Sequence, residues 1–113
     1  MEQNYKLNRV KELADNDMDF IKALAEAFIE EVPEDAERLK NAVATSDYKE
    51  TYQAAHKMKP TIDLFELGVL QDLLVVQDWG KFEKAGEDCS SQLKLVLAAV
   101  EQATAELKED FNL

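Results

Sequence analysis

Glycine, proline, cysteine and histidine are scarce in this chain of 113 residues, which holds three, two, one and one of them. With so few glycines and prolines, and with hydrophobic residues at 46% and charged residues at 33%, the composition is that of a helix-rich globular chain and excludes a disordered one. A lone cysteine, Cys89, excludes an internal disulfide, and no second cysteine or nearby histidine makes it a nucleophile or a metal ligand. Cys89 reads as a helix-packing or helix-start residue. One histidine leaves no His-x-x-x-His pair, so a zinc site would need carboxylates for nearly all its ligands. No Gly-rich phosphate loop and no Gly-x-Ser-x-Gly elbow occurs. No metal and no cofactor are expected.

Basic charge is also in short supply. Thirteen Lys and Arg against 24 Asp and Glu leave a net charge of −11, a field that repels phosphate backbones and anionic headgroups, so nucleic acid and membrane surfaces are excluded as partners. No apolar run approaches the ~18 residues of a membrane helix, and Met1 to Lys6 contain no apolar signal core. The expectation is a cytoplasmic monomer forming a single domain over residues 1–113, long enough to bury roughly two-thirds of its unfolded surface without a metal or disulfide.

Apolar residues at helical spacing supply the elements. A short lead helix is predicted around Lys6 to Ala14. A long one begins near Asp17, where Phe20, Ile21, Leu24, Phe28, Val32, Ala36, Leu39 and Val43 keep spacings of three and four. That pattern stays in register across Pro33, which predicts one helix to about Ala44 with a kink, the alternative being two helices broken at Glu31-Val32-Pro33. Thr45-Ser46-Asp47 is a turn, and Asp47 with Glu50 has the form of a capping box with aspartate as the cap. The next helix runs from Tyr48 to about Phe65 and a fourth from near Gly68 towards Trp79. Gly80 and Gly86 bracket an uncertain stretch, and a last helix covers about Glu87 to Asp110. The fold class is all-α: an antiparallel four-helix bundle with a short additional N-terminal helix.

Asp15-Asn16-Asp17-Met18-Asp19 resembles the start of a calcium loop, with Glu26 at the twelfth place. Phe20 stands at the sixth, where such a loop needs glycine for its sharp turn, so helix capping is the better reading. The other carboxylates lack the apolar surroundings that would shift a pKa and read as solvated helix faces.

His56 remains. If Thr51, Ala55, Met58, Ile62 and Phe65 set the core direction, the 100° per residue of an α-helix puts His56 well over a quarter-turn away, on the wet side. An imidazole in water is largely neutral at cytoplasmic pH and offers a nitrogen lone pair as a nucleophile. Its neighbours on the wheel are Lys49, Tyr52 and Gln53 on the preceding turns and Lys59, Pro60, Asp63 and Leu67 on the following ones. Lys59 can set its ammonium beside a dianionic group carried by His56. Pro60 has no N–H for the His56 carbonyl and replaces a longer side chain that would shield the ring.

Ala55-His56-Lys57-Met58-Lys59-Pro60-Thr61, with Phe65 beyond, resembles the signature of histidine-containing phosphotransfer domains: alanine before the histidine, lysine three residues after it and a small residue four after it. Asp17-Met18-Asp19-Phe20, Leu24, Phe28, Glu31-Val32-Pro33, Leu39 and Asp47 follow that family's order of elements. The resemblance implies that His56 is the phosphoryl acceptor and that Lys59 supports the phosphorylated ring by charge. It also implies partners: the receiver domains of response regulators or hybrid histidine kinases, between whose aspartates a phosphoryl group passes, with no enzyme activity of the chain's own. Pro60 occupies a site where the family usually has glycine. Glu66 departs further, because the family commonly has glycine ten residues after the histidine, and it implies a looser helix end with Gly68 taking over the turn.

A docking surface is expected around Lys57, Pro60, Leu64 and Leu67, with Lys49 and Lys59 at its rim; the competing placement ends the helix early at Glu66 and Gly68 and turns Leu67 inward. The alternative function is an interaction module of the same shape that binds receivers or kinases without carrying phosphate. Such a module has no physical need of His56 and Lys59.

Overall fold

Asp17 opens the longest helix of the computed structural model, which describes residues 4–113. The five helices are α1 Asn8–Leu13, α2 Met18–Ala44, α3 Tyr48–Leu64, α4 Leu70–Lys81 and α5 Ser90–Asp110, with no strand among the described residues. The Asp17 carboxylate accepts the backbone N–H groups of Asp19 and Phe20 at 3.0 and 3.3 Å, two of the donors that a helix start leaves without partners. Asp15 and Asn16 form the left-handed turn after α1, so the acidic stretch is a helix–turn–helix junction. Helix α2 continues through Pro33 without a break, and the two-helix alternative is not adopted. Its core stripe is Ile21, Ala25, Phe28, Val32, Asp35, Ala36, Leu39 and Ala42. Phe20, expected on that stripe, is 45% exposed.

At about 1.5 Å per residue, the 27 residues of α2 span ~40 Å, most of the 46 Å long axis of the molecule. Helix α3 lies against α2 and α4, while α5 completes the bundle by packing on both of them. Contacts between α2 and α3 fix an antiparallel register: Phe28 meets Phe65 with ring centroids 4.9 Å apart, and Arg38 bonds Glu50. The segment before α2 buries Tyr5, Leu7, Val10 and Ala14. It is tied to α3 by Lys6 N–H donating to Phe65 O at 2.8 Å and by Arg9 pairing with Asp63 at 2.8 Å.

The capping box expected at Asp47 is one-sided. Asp47 accepts the Glu50 N–H at 3.1 Å, but the Glu50 carboxylate is held by Arg38 through two 2.9 Å bonds. The Asp47 N–H donates instead to Ala42 O, so the return bond of the box has no vacant donor.

Helix ends are closed without glycine. Asp15, Ser46, Glu66, Glu83 and Asn112 all have left-handed φ between 48° and 60°. At Glu66 the N–H donates to Asp63 O at 3.1 Å and the next N–H, of Leu67, to Ile62 O at 3.3 Å. This is the Schellman arrangement, in which the residue after the left-handed one returns its side chain to the helix. The α3 terminus is therefore tight, not loose, and it turns at Glu66 itself (φ 50°), with Gly68 (φ 79°) bending the chain again two residues on.

Gly80 falls within α4, where a Cβ would lie 2.7 Å from Tyr48 O and 2.9 Å from Tyr52 N. Only glycine lets the α4 and α3 backbones approach this closely. Trp79 beside it packs on Tyr48 with centroids 4.8 Å apart and planes tilted by 47°, and donates Nε1–H to Glu87 O at 2.9 Å, which anchors the connection to α5. Cys89 is buried at the N-cap of α5, and burial pushes its thiol pKa up.

Candidate functional site

Thr51, Ala55, Met58, Ile62 and Phe65 are all buried, and this leaves His56 exposed on the opposite face of α3. Two aromatic and aliphatic rings flank it along the helix. Tyr52, one turn before, stacks on the imidazole with centroids 5.5 Å apart and planes 18° from parallel. Pro60, one turn after, is exposed and has no N–H to donate to the His56 carbonyl.

The charges around the imidazole are sorted by interhelix pairing. Helix α3 carries two carboxylates, and the chain's two arginines engage both of them: Arg38 holds Glu50 and Arg9 holds Asp63. The paired guanidinium, through its hydrogen bonds, lowers the Glu50 pKa, and Glu50 raises that of Arg38. The α3 cations left without an ion pair among the described residues are consequently Lys49 and Lys59, on a chain of net charge −11. Lys59 is half-buried, and among the described residues no carboxylate lies within ion-pair reach of its ammonium.

Lys57 differs. Its ammonium sits 3.0 Å from Asp35 Oδ1, a carboxylate whose side chain is 6% exposed and which Arg38 approaches at 3.6 Å. It can enter a docking contact only by sharing or leaving Asp35.

One residue expected on the docking surface lies elsewhere, and another is only partly open. Leu67 is 7% exposed and belongs to the core, because the Schellman turn at Glu66 folds it back towards Ile62. Leu64 is half-buried and packs against the same core. Of the expected surface, Pro60 is exposed, and Lys57 is exposed along its side chain with its ammonium turned to Asp35.

Periodicity placed Tyr52 beside His56 without giving it a role, and it left Asp35 and Gln77 unmarked. Tyr52 is readable as an aromatic four residues before the histidine, a pair that meets on a helix surface. Asp35 is a carboxylate inside an apolar stripe, the pattern of a buried ion pair. Gln77, on α4, is buried with Oε1 unpartnered. A cavity of about 620 Å³ opens beside Tyr52, with Tyr48, Lys49, Gly80 and Lys81 among its walls. Among the described residues no cluster of three or more His, Cys, Asp or Glu side chains could hold a metal ion, and no helix is long and apolar enough to cross a membrane.

Residues 23–109 match the family model described as Hpt domain. This chain belongs to the Hpt domain family. The match takes in most of α2, all of α3 and α4 and nearly all of α5, so it spans the bundle as well as the histidine motif. No curated protein and no solved structure matches the chain. Hpt domains carry phosphoryl groups in two-component signalling, where they meet receiver domains and kinases, and they are carriers, not catalysts. The five-helix arrangement is that of an Hpt four-helix bundle with a short N-terminal helix added.

Proposed function

We propose that this Hpt domain is a phosphorelay intermediate in which His56 takes a phosphoryl group from a receiver-domain aspartate and passes it to the aspartate of another receiver. The observation that carries the reading is the placement of the chain's one imidazole on the outer face of α3, inside the matched residues and free of any buried pocket.

A ring nitrogen lone pair forms the N–P bond as the O–P bond of the aspartyl phosphate breaks, and the aspartate departs as a carboxylate. The reverse sequence delivers the group to the second receiver. Such transfer passes through a loose transition state that depends on in-line positioning and charge stabilisation more than on covalent help from the carrier. Lys59, one helical turn from His56 and unpaired, supplies positive charge to the phosphoryl oxygens. Exposure serves the reaction directly, since the receiver's aspartate must reach the ring from outside. The chain acts as a cytoplasmic monomer and as one domain, without its own ATP or metal site.

The test is incubation with a phosphorylated receiver domain followed by intact-mass measurement. One phosphoryl group should be added, acid-labile as an N–P bond is, and absent in His56→Gln. A His56→Gln protein that still takes up label, or a parent protein that takes up none from any of a panel of receivers, overturns the reading.

A further inference from the structure

We infer that Tyr52 is a positioning residue for His56, favouring one orientation of the imidazole by an offset, near-parallel stack so that its nitrogens point along a preferred direction from α3. The inference rests on the phosphocarrier reading and deepens it. An exposed histidine on a helix ordinarily samples several χ1 and χ2 wells, and an attacking nitrogen that wanders loses most of the advantage of orientation. Here one orientation has a partner: the phenol centroid lies 5.5 Å from that of the imidazole and the planes are 18° from parallel.

The backbone turn that carries the phenol is closely packed. Tyr52 is half-buried, and the α4 backbone at Gly80 presses on the same turn of α3, with the position of a Gly80 Cβ only 2.9 Å from Tyr52 N and 2.7 Å from Tyr48 O. A chain of contacts thus runs from α4 to the imidazole: Gly80 packs on the backbone of the turn that carries Tyr52, and the phenol stacks on the ring. Stacking also suits the chemistry. The nitrogen lone pairs lie in the imidazole plane, so a ring offset over one face leaves the attacking edge open. Pro60 on the far side offers a compact ring that does not cover that edge.

Three variants separate orientation from bulk. Tyr52→Phe keeps the π face, Tyr52→Leu keeps apolar volume beside Gly80 without it, and Tyr52→Ala removes both. The rate of phosphoryl transfer from a phosphorylated receiver should stay within about twofold of the parent in Tyr52→Phe and fall by about tenfold in Tyr52→Leu and Tyr52→Ala. In proton NMR the His56 ring protons should carry a ring-current shift that Tyr52→Phe preserves and Tyr52→Leu removes, which a merely structural role for Tyr52 does not require. Parent-like transfer in a folded Tyr52→Leu protein overturns the inference, as do His56 ring-proton shifts that are the same in Tyr52→Leu as in the parent. If the parent accepts no phosphoryl group, the phosphocarrier reading fails instead; the NMR comparison uses unphosphorylated protein and still decides the stack.

Discussion

Lys57 and Asp35 meet 3.0 Å apart across the seam between α2 and α3, and the carboxylate is 6% exposed while the lysine side chain is 56% exposed. One helix position separates Lys57 from the histidine, yet its charge is directed towards α2. Lys59, on the other flank of α3, has no carboxylate partner among the described residues. Lys57→Ala leaves a buried carboxylate with only the longer Arg38 contact, and a loss of about 1 kcal/mol is expected after allowing for the solvent around the lysine. Urea denaturation measures it; unchanged stability would mean that the pair adds nothing.

Lys59→Ala should act on transfer and leave folding alone. The expected outcome is slower phosphoryl uptake from a receiver or a shorter phosphohistidine lifetime, with labelling still at His56, because the lysine contributes charge and not the nucleophile. Parent-like values for both would remove Lys59 from the mechanism.

Acid should weaken the α2–α3 seam. Arg38 holds the Glu50 pKa below its ordinary 4.5, so the folded state favours the ionised form. The stabilisation is fully present above pH 4.5 and is lost as pH falls through the folded value. Both side chains are about one-third exposed or more, and the contribution is roughly 0.5–1 kcal/mol. Glu50→Gln should flatten this part of the stability profile between pH 5 and pH 3 in thermal melts, and a profile of parental slope would refute the assignment.

Glycine exchanges should have opposite signs at two places. Gly80→Ala puts a methyl against the backbone of Tyr48 and Tyr52, and overpacking of this kind costs about 1–3 kcal/mol despite the better helix propensity of alanine. Ser46→Gly relieves a left-handed φ of 54° at the end of α2 and should raise the melting temperature, by a gain of roughly 1 kcal/mol or less once the extra freedom of the unfolded chain is counted. Melting curves of the two variants check both signs.

Helix identity and the wet face of α3 were legible in the chain because both depend on local spacing. Phe28, Val32, Ala36 and Leu39 recur every three to four residues whatever they pack against, and the same angle that turns Ala55, Met58 and Ile62 inward turns His56 outward. Even Pro33 could be passed over correctly, since the apolar register continues beyond it. The resemblance of Ala55 to Thr61 to a phosphotransfer motif is local in the same way.

What depended on distant partners was not legible. The placement of Leu67 follows from a Schellman turn at a glutamate, a residue without the conformational freedom that would have announced it. Glu50 left its capping box because Arg38, twelve residues away in sequence, offers it two charge-assisted bonds in the fold. Asp35 is buried because Lys57 and Arg38 meet it from two helices. Periodicity specifies which way a side chain leaves its own helix, whereas only the assembled bundle decides what waits there. The direction of His56 was therefore set by the chain itself, and the company it keeps, with Tyr52 braced by Gly80, Lys57 drawn off by Asp35 and Lys59 left unpaired, was set by the packing of α2 and α4 against α3.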